Sequence, residues 1–444
     1  MSTNIQQDLR AIGVASVIVV LAKRPTALAP AAQASDLSRY FVSSELGQES
    51  AIVLEATARA GAVQPLPRSR GRDAEAMLRA AREFRGRPAV RQAPIPETEP
   101  PPLVRYYPHL GVALGTVTRA GLAALRKDEQ VEDVLGAPQI SLIRPTRASG
   151  VALRARATWG IRRLVVPTLW EQGLTGKGVL VGHLDTGLDG THPALQTAIE
   201  SFAEFDRFGR QVVPARSPHD TGEHGTHTAG TIAGRPHGNR HVGVAPGAGL
   251  ASAIVIEGGQ VVARVLGGMD WAVSQGVKIL NMSLGLRGWM TDFLPLTKIL
   301  RDRGILPVFA VGNEGPGTSR SPGNYADALS VGGMDGSDFV YVDSSSQRFA
   351  RPVDPVVPDV VAPGVDVISA RPGGGYQSMD GTSMATPHVS GLAALLLEAK
   401  PDAAVDELER AILASASLEP GWPPDRVGRG LPDARLALEI LTGS

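Results

Sequence analysis

Between residues 179 and 399 the chain alternates short apolar runs with longer stretches of helical character. The runs at 179–184, 253–256, 279–282 and 306–311 are four to six mostly apolar residues long, the size of strands buried on both faces. Among them lie 224–233, 259–275, 294–303 and 382–399, whose length and pattern predict helices. Such alternation implies an α/β class fold of three layers, a mostly parallel central sheet covered by helices on both faces. Pro401 ends the last of these helices, Pro387 is expected to be harmless within its first turns, and 405–414 and 432–441 read as closing helices.

The first third is patterned differently. Val17, Ile18, Val19, Val20 and Leu21 form a β-branched run that predicts a strand, followed at a distance by a helix over 73–84 with an acidic start. Strands are expected at 103–107 and 111–117, a helix at 119–127, and apolar patches follow at 131–135 and 139–143. This strand, helix, strand, strand, helix, strand order predicts a smaller α+β ferredoxin-like domain. Proline and arginine clusters at 64–72 and 87–102 read as loops or linkers. The expected division is an N-terminal domain over 1–145 with an insertion at about 23–72, a linker and processing region over 146–158, and a main domain over 159–444. A small-residue and basic stretch between two such units is where proteolytic nicking is expected.

Composition narrows the options. The 444 residues suffice for two domains, and 44 basic against 44 acidic residues give no global field for nucleic acid or an anionic membrane. With no cysteine, disulfide scaffolds, thiolate metal sites and thiol nucleophiles are excluded. The apolar run 11–22 is twelve residues, too short for a membrane-spanning helix. It also makes a poor signal peptide, because Asp8 offsets Arg10 and Lys23 and Arg24 follow the run rather than precede it. A cytoplasmic location is therefore expected over a secreted one.

Three segments carry candidate chemistry. Asp185 ends an apolar strand just before the turn at Gly187, His224 heads a helix of small residues, and Ser383 lies in a tight turn before an apolar helix. Strand ends of open parallel sheets are where ligands bind, and a helix N-terminus offers unpaired N–H groups to a developing oxyanion. A serine hydroxyl needs an imidazole base, and that imidazole needs an acid to orient it. Five of the nine histidines lie between His219 and His241, but His224 and His227 are three apart, no HExxH pattern occurs and no cysteine is available as a partner, so no metal is expected there.

The three segments, in the order Asp, His, Ser, resemble those of the subtilisin-like serine proteases. The runs 281–285, 310–315 and 359–364 resemble further segments of that family, extending the likeness over about 159–440. The resemblance implies a serine endopeptidase in which Ser383 attacks, His224 is general base then acid, Asp185 orients it, and the Asn313 amide donates to the oxyanion. It also implies that Ser283, Leu284 and Gly285 pair with an extended substrate, while Ala310 and Gly312 wall a roomy apolar pocket with Glu314 at its rim. His227 is expected to be a packed, structural residue.

Many members of that family carry a ferredoxin-like N-terminal domain that assists folding and inhibits the site. The stretch 114–134 resembles it, so the N-terminal domain is expected to serve as intramolecular chaperone and inhibitor, with protein or peptide substrates as the other partners. No cofactor is expected for catalysis. The calcium loop common in the family is expected to be lost, because the aspartate position is Ala194 and the loop carries Arg235 and His237 where oxygen ligands would stand. Two competing readings are a peptide ligase or macrocyclase using the same acyl-enzyme, and an inactive binding module.

Overall fold

A computed structural model of the protein describes residues 5–22, 37–42, 103–256, 258, 260–352 and 355–443. The expected helix over 73–84, the proline-rich clusters and most of the expected insertion lie outside the described residues. After a short helix, Ile5–Ala11, the first apolar run forms β1 (Val14–Leu21). It pairs antiparallel with β3 (Val112–Thr118) on one side and β4 (Val131–Gly136) on the other, and β2 (Val104–Tyr107) closes the sheet beside β3. The order β2-β3-β1-β4 is that of a ferredoxin-like sheet.

Burial on both faces explains why β1 is apolar throughout. Val17, Val19 and Leu21 point to a small core with Leu122 and Leu125 of the helix Arg119–Leu125. Ile18 and Val20 point the other way, into a core shared with Ala263, Leu266 and Met269 of the main unit. Leu37 and Phe41, within the expected insertion, close the outer core. Polar clasps fix the docking: Tyr107 Oη donates to the Ala263 carbonyl at 3.0 Å, Arg105 donates to Gln260 at 2.7 Å, and the His109 and Leu110 amides donate to Asp270 at 2.7 and 2.9 Å.

The chain continues through β5 (Ser141–Leu142) and β6 (Arg147–Val151) into the main unit. There β7 (Leu180–Asp185), β8 (Ile199–Glu204), β9 (Gly249–Ile254), β10 (Ile279–Met282), β11 (Leu284–Arg287), β12 (Leu306–Ala310), β13 (Arg320–Ser321) and β14 (Leu329–Met334) follow. Then come β15 (Gln347–Arg348), β16 (Val356–Val357), β17 (Val360–Pro363), β18 (Val367–Ala370) and β19 (Tyr376–Asp380). Seven form a parallel sheet in the order β17-β14-β12-β10-β7-β9-β8. The order reverses beside β7, the first strand of that sheet in the chain, which makes its C-terminal end a natural site. The strand expected at 253–256 begins four residues earlier, because Gly249 to Ser252 are buried between β7 and β8 despite their small or polar side chains.

Alternation along the strands separates two cores. Val181, Ile279, Val308 and Val331 face the helices His224–Ala233 and Thr382–Ala399, while Leu184, Leu280 and Phe309 face Val261–Ser274 and Leu294–Asp302. Pro387 is the sixth residue of its helix, beyond the first turn, so it leaves the Ser383 carbonyl without its helical donor. The Ser283 hydroxyl donates to that carbonyl at 3.3 Å instead. Part of the expected linker is also ordered into the main unit: β6 pairs antiparallel with β19, Arg147 opposite Asp380.

Candidate active site

Asp185 is the last residue of β7 and is wholly buried. Two residues of β-period place its side chain on the face covered by the helix that His224 begins. The imidazole Nδ1–H of His224 donates to Asp185, with distances of 2.7 and 2.9 Å to its two carboxylate oxygens. The Thr186 amide donates to the same carboxylate at 2.7 Å and the Thr228 hydroxyl lies 3.3 Å from it. Burial alone would raise the pKa of Asp185, but His224, His183 and the Thr186 amide outweigh it and hold the carboxyl below its ordinary range. The close approach of helix and turn depends on Gly225: a Cβ there would lie 1.9 Å from the Gly187 carbonyl oxygen.

Ser383 and Asn313 form a second pair. Thr382 donates to the Asn313 side-chain oxygen through its amide and its hydroxyl, both at 2.9 Å, which turns the asparagine NH2 outward. Gly312 precedes it with φ +121°, and a Cβ there would meet the Glu314 carboxylate at 2.8 Å. Ser283, Leu284 and Gly285 follow β10 at the same end of the sheet, and Ala310 ends β12.

The chain's own residues 141–144 lie across this site. Ser141 and Leu142 pair antiparallel with Gly285 and Leu284, and the Ile143 amide donates to the Ser283 carbonyl at 3.0 Å. Ser383 Oγ donates to the Ile143 carbonyl at 2.6 Å, and the Asn313 NH2 donates to the Arg144 carbonyl at 3.0 Å. His224 Nε2 is buried and has no hydrogen-bond partner. Because Nδ1 carries the proton bound to Asp185, Nε2 presents a lone pair.

The resemblance implies that Glu314 stands at the rim of a substrate pocket, with the preferred side chain left open. Its carboxylate is bonded by Arg320, Nε at 2.9 Å, with Arg287 3.6 Å away. Burial opposes ionisation, yet Arg320 holds Glu314 below the ordinary carboxylate range. Arg320 also donates to Ser141 Oγ at 3.0 Å and to the Gly285 carbonyl at 3.3 Å. The side chains around Glu314 are therefore charged and internally paired, a feature that small residues in the local motif did not reveal.

The five clustered histidines go separate ways. His227 donates to the Val367 carbonyl at 2.9 Å, and burial pushes its imidazole down to about 3. His219 lies on the Ser217 carbonyl at 3.0 Å, His241 stacks on Trp170 with centroids 4.7 Å apart, and His237 is exposed.

Residues 176–433 match the subtilase family model. The chain belongs to the subtilase family. It is 38% identical to the M-protease of Shouchella clausii (strain KSM-K16) over 267 residues, 60% of this chain and 65% of that protein. It is 39% identical to Subtilisin Savinase of Lederbergia lenta over 246 residues, 55% of this chain and 85% of that protein. Against Subtilisin E of Bacillus subtilis (strain 168) the identity is 37% over 251 residues, 55% of this chain and 61% of that protein. The subtilase thus spans about two thirds of the length of M-protease. No helix among the described residues is long and apolar enough to cross a membrane.

Motif reading missed Thr228, Ser252, His183 and Arg320. Thr228 had a signal, since it follows His224 by four on one helical face. His183 had one too, since it precedes Asp185 by two on one strand face. Arg320 had none, because its approach to Glu314 depends on how the loop after β12 folds back.

Proposed function

We propose that this subtilase is a serine endopeptidase acting on proteins or peptides, with Ser383 as nucleophile. In the reaction His224 Nε2 takes the Ser383 hydroxyl proton as Oγ attacks the substrate carbonyl carbon. The oxyanion then accepts from the Asn313 NH2 and from the amides at the start of the Ser383 helix. Asp185 holds the imidazole tautomer and stabilises the imidazolium. Collapse breaks the C–N bond, the leaving amine takes the proton from His224, and water releases the acyl group by the reverse sequence. The observation that carries this reading is the extended segment 141–144 held against β11 with the Ile143 carbonyl on Ser383 Oγ.

That same observation supports the N-terminal unit as an intramolecular inhibitor. Ser141 opposite Gly285, the Ile143 amide on Ser283 and the Ile143 carbonyl on Ser383 all align the Ile143–Arg144 peptide with the nucleophile. We take that bond, rather than one within 146–158, as the processing site, since β6 is already paired with β19. The Asn313 amide bonds the next carbonyl along, and Ser383 Oγ bonds an oxygen rather than His224, so the segment sits in a bound but unreactive pose.

The calcium of the family does not fit this chain. The Arg235 guanidinium lies among backbone carbonyls, with Nη1 donating to Pro246 at 2.6 Å and Ala248 at 2.8 Å and Nη2 to Thr197 at 2.9 Å. The Arg235 amide donates to the carbonyl of Ala194, whose side chain is a methyl group. A guanidinium thus satisfies carbonyls that a cation would otherwise attract, and Ala194 supplies no carboxylate.

The test is expression of the full chain and of Ser383→Ala, followed by intact mass and labelling with a serine-directed fluorophosphonate. Wild type is expected to label and to yield a fragment beginning at Arg144, and Ser383→Ala to do neither. A folded wild type that does neither overturns the reading. Product masses with an added amine separate hydrolysis from ligation.

A further inference from the structure

His183 is an imidazole in the middle of a buried parallel strand, a place where an aliphatic residue would pack without desolvating a polar ring. Both of its nitrogens are bonded. Nδ1 lies 2.9 Å from Ser252 Oγ on β9, and Nε2 lies 2.8 Å from Thr228 Oγ1 on the His224 helix. Nε2 is also 3.9 Å from the Asp185 carboxylate. A lone pair there would face that anion, so the favourable tautomer carries its proton on Nε2 and accepts the Ser252 hydroxyl at Nδ1.

That tautomer determines what Thr228 can do. The Thr228 hydroxyl has one proton and lies near three acceptors: Asp185 at 3.3 Å, the His224 carbonyl at 3.2 Å and the Gly225 carbonyl at 3.2 Å. If His183 lacked the Nε2 proton, Thr228 would have to turn its own toward the ring. With His183 donating, the Thr228 proton is free for the carboxylate and the helix carbonyls. The result is a directed chain, Ser252 to His183 to Thr228 to Asp185, ending on the carboxylate oxygen Oδ2, which His224 Nδ1 also approaches at 2.9 Å.

We infer that His183 is a positioning residue, which acts through Thr228 to orient Asp185 and limit how strongly that carboxylate draws on the His224 proton. The charged and titratable groups around it are Asp185 on its own strand, Asp220, and His224 on the helix above; β9 and β10 contribute only Ser252 and Asn281 at its level. Burial keeps the ring neutral, against Asp185 and Asp220 and with the help of His224. The inference rests on the proposed catalytic roles of Asp185 and His224.

The test uses the full chain as His183→Val, His183→Gln, Ser252→Ala and Thr228→Val. It reads the pH profile of kcat/KM on a peptide substrate and the downfield proton resonance of His224 Nδ1–H. Gln can still donate toward Thr228, whereas Val cannot. His183→Val and Thr228→Val are expected to raise the acid limb by about half a pH unit and lower kcat about tenfold with KM within about twofold. His183→Gln is expected to recover most of both, and the resonance to move in the Val variants. A folded His183→Val with wild-type acid limb, kcat and resonance overturns the inference, as does a loss of activity that tracks only the unfolded fraction. Should His183→Val fail to fold, unchanged limbs and resonance in both Ser252→Ala and Thr228→Val overturn it. An inactive wild type would refute the proposed function instead, while the resonance still reports on His183.

Discussion

At the scale of single residues, one proton per hydroxyl or imidazole governs the site. Ser383 can donate once, and it donates to the Ile143 carbonyl, which leaves His224 Nε2 free. The Asn313 side chain divides its duties, its oxygen fixed by Thr382 and its NH2 directed at the cleft-bound segment. Asn313→Ala should therefore lower turnover by about 10² to 10³ with a much smaller change in KM, measured on the processed enzyme. Equal losses in binding and turnover would assign Asn313 to ground-state contacts. Asp185, His224, Asn313 and Ser383 each stand out in the sequence because their motifs combine a polar side chain with small neighbours, and the fold brings His224 onto Asp185 and Asn313 onto Thr382 beside Ser383. The tertiary partners were not legible: Arg320 neutralises Glu314 from six residues away through a loop whose path no local pattern fixes.

At the scale of elements, close approach between backbones is the controlling quantity. The His224 helix reaches the turn after β7 only because residue 225 has no side chain. Gly225→Ala is expected to separate Asp185 from His224, and circular dichroism with fluorophosphonate labelling should show a destabilised, poorly labelled protein. Labelling at the wild-type rate would refute that geometry. The Ser383 helix is anchored differently, by apolar packing along its length, and Leu392→Ala should reduce stability by about 2–5 kcal/mol in urea unfolding. The sequence located these helices well, since their apolar residues recur on a helical period. It did not show how Pro387 is accommodated, because the donor that replaces the lost N–H comes from Ser283, a hundred residues earlier in the chain.

At the scale of the whole molecule, buried imidazoles and the half-buried Arg235 guanidinium make stability depend on conditions. Burial holds His183 low and pushes His227 to about 3 and His388 to about 4. Below about pH 6.5 the unfolded chain protonates these rings while the folded protein does not, so stability falls as pH falls. The expected slope is on the order of 1 kcal/mol per pH unit for each such histidine between about pH 6 and the folded value. Urea midpoints of Ser383→Ala, which avoids self-digestion, should drop between pH 7 and 5, and His388→Gln should flatten the slope. Chelators should leave the unfolding temperature unchanged, whereas Arg235→Ala should lower the stability by about 1–3 kcal/mol as its carbonyl acceptors lose their donor. A large chelator effect would restore a metal to this region.

The three-layer class, four of the seven strands of the main sheet and the positions of the chemical motifs followed from the sequence alone, because each rests on periodicity or on a few adjacent residues. The antiparallel N-terminal sheet was likewise foreshadowed, through its strand and helix order. Tertiary structure alone decided that β1 is buried on both faces, that residues 141–144 run through the cleft ahead of the expected processing stretch, and that Arg235 sits among carbonyls. These depend on contacts between residues far apart in the chain, where a burial partner or an unpaired carbonyl sets the outcome. Such partners leave no local trace in sequence, since the same arginine or apolar strand would read alike in solvent and in a core.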